Sequence, residues 1–421
     1  MNKAVFALAM IMAIASVNAA EFQSRDAAFI EQAKSHMITI ENWDQAENAA
    51  STFPHAYKFT HSYKLDTSGV APQPLTVSNS LDLSQITVTD IDGTIDVETF
   101  LRDRLKNHSM VVVQNNQILH QHFWNNMGPH QPHLAMSVTK SFTSLAAQQA
   151  VSQGLLNMNK PVIEYLPFLT GSAWHTATVQ DVADMRTSLL LDVPKHQSWD
   201  NRMTLAQSYN SDKGAKSYPN GIKDYLALVR LREGKMGDKY TYQCANTEVL
   251  GLIVEKVTGK NLAKNYEALL SQIGVNDDVY LMAGHAGDAI ASGGLNISTA
   301  DLARVGQLLI NDGKNYQGKQ VIDKHFIKQL LQGNDIVRSA WKKSKEAALA
   351  HGYYKDQFRV LNIGKHRILA MVGIHGQVVA MDFDSQTVIA MNGGYPQTET
   401  PRMAISIFYK VIAAILDEVK S

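Results

Sequence analysis

A helix that begins with a serine and a lysine three positions apart is the feature that most limits the fold and chemistry of this sequence. Residues 137–153 contain neither glycine nor proline, and Phe142 and Leu145 belong to an apolar series at helical spacing. Residues three apart share one face of a helix, so the Ser137 hydroxyl and the Lys140 amine can meet. A lysine whose pKa is lowered by burial can take the proton of a serine hydroxyl, and the helix N-terminus offers N–H groups to an anion. The pattern predicts a nucleophile and base for acyl transfer.

The same spacing also arises by chance. Ser339 and Lys342 form a second pair, but they adjoin the run Trp-Lys-Lys-Ser-Lys-Glu, which is typical of a solvated helix face. A two-residue motif needs structural context before it identifies a site. Other motifs in the chain are therefore needed to show that the Ser137–Lys140 spacing is not a coincidence.

The first residues have the composition of an export signal. Lys3 precedes an apolar run over residues 4–17 and the small pair Ala19-Ala20, which predicts a signal peptide over residues 1–20, too short to span a membrane. The single cysteine, Cys244, excludes an intrachain disulfide. Export without disulfides favours a periplasmic or secreted bacterial protein.

Charge and length exclude several classes of partner. Removing residues 1–20 takes away one lysine and no acidic residue, which changes the formal net charge from 0 to −1. A nearly neutral chain has no electrostatic attraction for nucleic acid or an anionic membrane. The 421 residues, 45% of them hydrophobic, exceed the usual size of a single core, and we expect two lobes.

The order of patterns along the chain predicts an α+β domain over residues 95–421, preceded by an N-terminal extension over residues 21–94 that wraps it. A helix over 96–106 and a hairpin turning at Asn115-Asn116 come first, and helices dominate from about 155 to 300. We place individual helices there at 178–185, 225–232 and 247–257. Three successive strands (366–374, 377–383 and 386–392) and a helix over 401–419 follow. The pattern indicates one antiparallel sheet built from both ends of the domain, with a mostly helical second lobe and a cleft between them.

Four histidines raise the alternative of a metal site. His120 and His122 would share one face of a strand, which could suit zinc. His130 and His133 lie on a proline-containing loop, and the sequence between His120 and His133 has no acidic residue. Polar strand and loop residues are the better interpretation, so we predict neither a metal nor a cofactor.

Three motifs in order resemble those of the serine β-lactamase and penicillin-binding-protein superfamily, on its class C side. They are Ser-Val-Thr-Lys at 137–140, Tyr-Gln-Cys-Ala-Asn-Thr at 242–247 and Met-Val-Gly-Ile-His-Gly-Gln at 371–377. The resemblance covers about residues 95–415 and is greatest to 6-aminohexanoate-dimer hydrolases and related esterases. It implies a β-lactamase-like (DD-peptidase-like) fold, in which terminal helices flank the antiparallel sheet.

The resemblance also implies a role for each matching residue. Ser137 would be the acylated nucleophile, Lys140 its base and Tyr242 the relay that carries a proton to the leaving group. Tyr240 competes for that last role, but the spacing of the motif favours Tyr242. The backbone N–H groups of Ser137 and Ile374 would form the oxyanion hole.

We expect Cys244, Gly373 and His375 to contact the substrate. Cys244 differs from the family pattern, and the other two lie next to a residue that differs from it. Cys244 replaces the asparagine of the second motif, and a thiol is a weaker hydrogen-bonding group; it could line the pocket or act as a rival nucleophile. Met371 stands near Gly373 where relatives have a cationic residue, so a carboxylate-binding charge is missing unless His375 supplies it. The Lys-Val-Thr-Gly at 256–259 ends a helix and is not that motif.

These features predict a serine hydrolase that cleaves a small-molecule ester or amide through an acyl-enzyme. Within enzymes, the alternative is a β-lactamase or a D-amino-acid peptidase. An alternative of another class is a non-hydrolytic penicillin-binding-type sensor. The sequence leaves open the acyl and leaving groups, the oligomeric state and whether residues 21–94 cover the cleft.

Overall fold

A computed structural model describes residues 20–91, 93–191, 193–194, 197–396 and 400–419. The predicted signal peptide, apart from Ala20, lies outside these residues. The strands are, in chain order, Glu21–Gln23 (β1), His61–Leu65 (β2), Thr76–Val77 (β3), Thr87–Asp90 (β4), Gly93–Asp96 (β5), Asn107–Gln114 (β6), Gln117–Phe123 (β7), His133–Leu134 (β8), Val279–Ala283 (β9), Leu295–Ile297 (β10), His351–Lys355 (β11), Phe358–Ile363 (β12), His366–Gly373 (β13), Gln377–Asp382 (β14) and Thr387–Gly393 (β15).

The α-helical segments lie mostly between β8 and β11. They are Ala27–Lys34 (α1), Ala49–Thr52 (α2), Ala56–Phe59 (α3), Val97–Thr99 (α4), Thr139–Ser152 (α5), Val162–Tyr165 (α6), Val179–Ala183 (α7), Asn201–Ala206 (α8), Gly214–Ser217 (α9), Ile222–Leu228 (α10), Cys244–Thr258 (α11), Leu262–Leu270 (α12), Thr299–Ile310 (α13), Lys324–Gln332 (α14), Asp335–Lys342 (α15), Thr400–Ile405 (α16) and Ala413–Glu418 (α17). No helix in the described part of the chain is long and apolar enough to cross a membrane.

The main sheet joins strands from both ends of the domain, as predicted. Its order is β11-β12-β13-β14-β15-β6-β7-β3, and neighbours are antiparallel except β3 and β7. The predicted hairpin is β6–β7, and Asn115 and Asn116 both have positive φ (49° and 63°), as a tight hairpin turn requires. The hairpin β11–β12 was not predicted, because its turn uses Asp356 and Gln357 at positive φ instead of Asn-Gly.

The predicted helices are confirmed with shifted boundaries. Residues 137–153 form a 3₁₀ turn followed by α5, and α11 ends at Gly259 in the left-handed conformation (φ 67°). Thr178 caps α7 through a reciprocal bond with Asp181. The helix expected over 225–232 is α10, which lies three to four residues earlier because the backbone at Val229 is already extended.

The helical lobe also contains strands that the sequence pattern did not reveal. β9 and β10 lie within it and form a second sheet of order β1-β2-β9-β10-β8. β9 has no polar alternation because all five of its residues are buried, so it is indistinguishable from a short buried helix by periodicity. Through this sheet the N-terminal segment (residues 21–94) joins the lobe.

Part of the N-terminal segment packs as a second hydrophobic core. Trp43, Phe53 and Phe59 are each at most 1% exposed, and they pack with Met136 and Ile290 of the domain. Trp43 stacks on Phe59 with ring centroids 5.5 Å apart. Burial of aromatic rings stabilises this arrangement strongly, so the segment is an integral layer beside the residues that precede α5.

Candidate active site

Ser137 lies in the 3₁₀ turn Met136–Val138, directly before α5. The preceding Met136 has φ 47°, a left-handed conformation that is unfavourable for a residue with a side chain. Its side chain is buried in the second core, which holds the turn in place. Ser137 is half-buried and borders a pocket, so its hydroxyl is accessible at the head of the helix.

Lys140 lies one turn further along and is 1% exposed. Its Nζ is 2.8 Å from Ser137 Oγ, 2.6 Å from the carbonyl oxygen of Ser292 and 3.3 Å from Cys244 Sγ. The expected meeting of the Ser137 hydroxyl and the Lys140 amine is therefore present. Ser292, from the glycine loop before β10, completes the polar surroundings and was not recognised in the sequence.

The pKa of Lys140 differs in direction from the sequence expectation. Burial lowers the pKa of this amine, as expected, but attraction to the negative charges of Cys244 and Tyr242 outweighs burial and raises the pKa above its ordinary value. That attraction exists only when the thiol and the phenol are ionised. Burial by itself favours the neutral amine.

Tyr242 is the tyrosine that lies beside Lys140. The Lys140 Nζ is 5.1 Å from the centroid of the Tyr242 ring. Tyr240 is buried instead against Trp341, and its hydroxyl donates to Glu346 Oε1 at 2.8 Å. Of the two tyrosines considered, the structure brings Tyr242 to the candidate site.

Cys244 begins α11 and lines the pocket. Its N–H donates to the Ser198 carbonyl at 2.8 Å, and its Sγ lies 3.4 Å from Ser198 Oγ. The thiol is 6% exposed and contacts Lys140 without a histidine beside it among these partners. This position fits a residue that lines the pocket and holds Lys140.

Gly373 and Ile374 border Ser137 at the end of β13. A Cβ at Gly373 would lie 3.0 Å from Ser137 N and 2.8 Å from the Ala135 carbonyl oxygen, so only glycine permits this approach without displacement of backbone. Ile374 lines the pocket. Gly373, the residue before Ile374, is thereby brought close to the backbone nitrogen of Ser137.

His375 cannot replace the missing cation of the third motif. It is 2% exposed, and its Nδ1 lies 2.7 Å from the Tyr395 carbonyl oxygen. Burial lowers the pKa of His375 to about 4, so the ring is neutral near pH 7. His375 lines the pocket, but as an uncharged ring.

The four histidines considered for a metal site have other polar partners, and His130 Nδ1 lies 2.8 Å from Asp277 Oδ1. His120 Nε2 is 2.8 Å from His122 Nδ1, whose ring reaches Asn107 Oδ1 at 2.7 Å. His133 Nε2 lies 2.9 Å from His108 Nδ1. Within the described residues, no three histidine, cysteine or acidic side chains are grouped as a metal ion would require.

The pocket in front of Ser137 has a volume of about 430 Å³, and its walls come from distant parts of the chain. Gly293, Cys244 and Ile374 are part of its lining. Residues 44–47 of the N-terminal segment also line it, which answers the question of whether that segment covers the cleft. The aromatic residues of that segment were the one feature of the sequence that could have indicated its packing against the domain, because a solvated linker seldom contains several tryptophan and phenylalanine residues.

Comparison with known proteins gives one family. The family model described as "Beta-lactamase" matches residues 97–410. The 6-aminohexanoate-dimer hydrolase of Paenarthrobacter ureafaciens is 26% identical over 295 residues, which cover 69% of this chain and 74% of that protein. The teichoic acid D-alanine hydrolase of Staphylococcus aureus is 26% identical over 178 residues, 40% of each chain.

Among solved structures, a Bacillus anthracis protein assigned as a 6-aminohexanoate-dimer hydrolase has the same fold. It aligns with a TM-score of 0.75 over 92% of this chain and 99% of its own, at 24% identity. The α+β architecture with its antiparallel main sheet agrees with that neighbour and with the family model, which spans most of the chain. The chain therefore belongs to the β-lactamase family and is a serine hydrolase.

Proposed function

We propose that this protein hydrolyses a small-molecule ester or amide through a Ser137 acyl-enzyme. The observation that carries the proposal is the 2.8 Å contact between Lys140 Nζ and Ser137 Oγ at the border of the pocket. Nucleophile and base within hydrogen-bond distance, with the base held by further partners, are the arrangement that covalent catalysis needs.

Acylation begins when Ser137 Oγ attacks the substrate carbonyl carbon and its proton passes to Lys140 Nζ. The carbonyl oxygen becomes an oxyanion that accepts hydrogen bonds from the backbone N–H groups of Ser137 and Ile374. Tyr242 gives its proton to the leaving oxygen or nitrogen as that bond breaks, and regains one from Lys140. Water then attacks the acyl carbon and releases a carboxylic acid and free Ser137.

The contacts of Lys140 support its part as the base. A neutral amine has two N–H donors and one lone pair. The Ser292 carbonyl and the Cys244 sulfur can accept from the two donors, and the lone pair then faces the Ser137 hydroxyl. Burial by itself favours this neutral form, against the attraction to Cys244 and Tyr242 that raises the pKa of the amine.

The charges of the pocket favour an uncharged or positively charged substrate. Among the described residues that line it there is neither lysine nor arginine, whereas Asp44 and Glu47 are present. A penicillin or a peptide with a terminal carboxylate would lack a partner for its negative charge. The alternatives of a β-lactamase and a D-amino-acid peptidase are therefore less well supported than an esterase or amidase.

We also propose export to the periplasm or medium, on the basis of residues 1–20. Cell fractionation should find the full-length chain in the periplasm or medium, and a version that starts at Ala20 in the cytoplasm. The same distribution of the two forms among the fractions would contradict the proposal.

The test of the mechanism is turnover and intact mass with an activated ester. Wild type should turn over, Ser137→Ala should lose activity, and Tyr242→Phe should be slowed by roughly a hundredfold or more with an unactivated ester. A stable acyl adduct without turnover would identify a sensor instead. Activity that survives Ser137→Ala would refute the assignment.

A further inference from the structure

The described lining of the Ser137 pocket contains neither lysine nor arginine, but an arginine on β12 contacts Tyr242. Met371 of β13 is uncharged, and His375 is neutral. In the sheet register Arg359 of β12 pairs with Ala370, so these two side chains share one face of the sheet and Met371 lies on the other. We propose that Arg359 supplies the fixed positive charge beside Tyr242 and acts as a positioning residue for proton transfer to the leaving group, a role that rests on the proposed function.

The first support is geometric. Arg359 Cζ lies 4.8 Å from the centroid of the Tyr242 ring, a distance typical of a cation–π contact. Lys140 Nζ lies 5.1 Å from the same centroid. Tyr354 packs edge-to-face on Tyr242 at 5.9 Å and also contacts the guanidinium. The Tyr242 ring is therefore held by the Arg359 guanidinium, the Lys140 amine and one aromatic ring.

The second support is the way Arg359 is itself held. Its Nε and Nη2 donate to the two carboxylate oxygens of Glu346 at 3.0 and 3.1 Å, a bidentate pair that fixes the plane of the guanidinium. Nη2 also lies 3.3 Å from the Tyr240 hydroxyl, which donates to the same carboxylate. Tyr240, the rival candidate for the relay, thus belongs to the support of the arginine.

The charge of Arg359 is permanent. Burial lowers the pKa of the guanidinium, but attraction to Glu346 outweighs burial and raises the pKa well above its usual range. The side chain is only 14% exposed, so water screens its charge little. Lys140 differs, because its charge changes as it takes and returns the Ser137 proton.

The positive charge of Arg359 affects the step in which the bond to the leaving group breaks. When Tyr242 gives its proton to the leaving atom, negative charge develops on the phenol until Lys140 returns a proton. A cation already in contact with the ring stabilises that charge without any rearrangement. Removal of Arg359 should therefore slow reactions whose leaving group needs a proton, and spare those whose leaving group departs as a stable anion.

The test compares two esters with the same acyl group, an alkyl ester and a p-nitrophenyl ester. The main variant is Arg359→Gln combined with Glu346→Gln, so that no carboxylate loses its partner. We expect kcat for the alkyl ester to fall about tenfold or more and kcat for the p-nitrophenyl ester to change little. Arg359→Lys should recover part of the loss, and Arg367→Gln, an exposed arginine on β13, is the matched control.

Adding Tyr242→Phe to the main variant separates the possible outcomes. If Arg359 acts through the relay, the combined variant should be no slower on the alkyl ester than Tyr242→Phe alone. Equal losses on both esters, or losses that multiply, would mean that Arg359 is only structural and would overturn the inference. If Tyr242→Phe itself spares the alkyl ester, the relay fails and this inference fails with it. If the main variant does not fold, Arg359→Lys replaces it. A larger fall in kcat for the alkyl ester than for the p-nitrophenyl ester would then support the inference, and equal falls would overturn it.

Discussion

Two of the walls of the pocket are built by different means. The catalytic wall (Ser137, Cys244, Ser292 and Ile374) comes from two helix starts, a loop and a strand end, and Lys140 Nζ contacts its first three residues. The N-terminal wall (residues 44–47) is a turn that adjoins the buried aromatic residues of the second core. Hydrogen bonds hold the first wall to a particular geometry, whereas apolar packing holds the second. We therefore expect the reaction chemistry to depend on the first wall, and changes in the second to alter the accepted substrate without altering the reaction.

The largest effect should come from breaking the catalytic wall at its base. Lys140→Met removes the amine that contacts Ser137 Oγ and should reduce kcat by roughly a thousandfold or more, because the serine then has no proton acceptor. Single-turnover acylation with an activated ester measures this directly.

Lys342→Met is the matched control, because Ser339 and Lys342 have the same spacing on an exposed part of α15. It should leave acylation unchanged. Similar losses in the two variants would mean that the Ser137–Lys140 contact has no special part in catalysis.

A smaller effect should follow from removing the support of the N-terminal wall. Trp43 is fully buried, stacks on Phe59 and donates from Nε1 to the Tyr209 carbonyl at 3.3 Å. Trp43→Ala should cost about 3–5 kcal/mol of unfolding free energy. It should raise KM and expose residues 35–60 to protease more than it lowers kcat.

Phe22→Ala is its control in the same segment, since Phe22 is 43% exposed. Denaturant unfolding with limited proteolysis makes the comparison. A loss of kcat at constant KM would show that the two walls are not separable.

The smallest effect should be a loss of stability at low pH, at the contact between the N-terminal segment and the buried histidines of the domain. Phe53 of the N-terminal segment packs edge-on against His133 and His375, with centroids 5.7 and 5.2 Å apart. Burial lowers the pKa of His375 and of His108 to about 4. The unfolded chain, with ordinary histidine values, binds more protons than the folded chain between about pH 6.5 and pH 4, so stability is lost as the pH falls through that range.

A shift of the pKa from 6.5 to about 4 in one such histidine corresponds to about 3 kcal/mol of unfolding free energy. Unfolding free energies at pH 7 and pH 4.5 check the expectation. His108→Gln should make the dependence on pH less steep, and a dependence equal to that of wild type would contradict it.

Local elements and the Ser137–Lys140 contact could be predicted because they depend on residues close in sequence. Helical periodicity alone brings the two side chains to one face, and the turn preference of Asn115-Asn116 sets the β6–β7 hairpin. The pairing of β6 with β15 needed knowledge of the whole domain. β9 was missed because a fully buried strand shows no alternation, and β11–β12 because its turn lacks the usual residues.

The sequence by itself determined the nucleophile motif, the order of the three family motifs and the absence of a cation from the third. Each is a property of residue identity and spacing along the chain. Only the tertiary structure decided the direction of the Lys140 pKa, the neutrality of His375, the place of Arg359 against Tyr242 and the use of residues 44–47 as a pocket wall. These depend on distances between residues far apart in the chain and on the water excluded between them, and neither quantity is a function of local sequence.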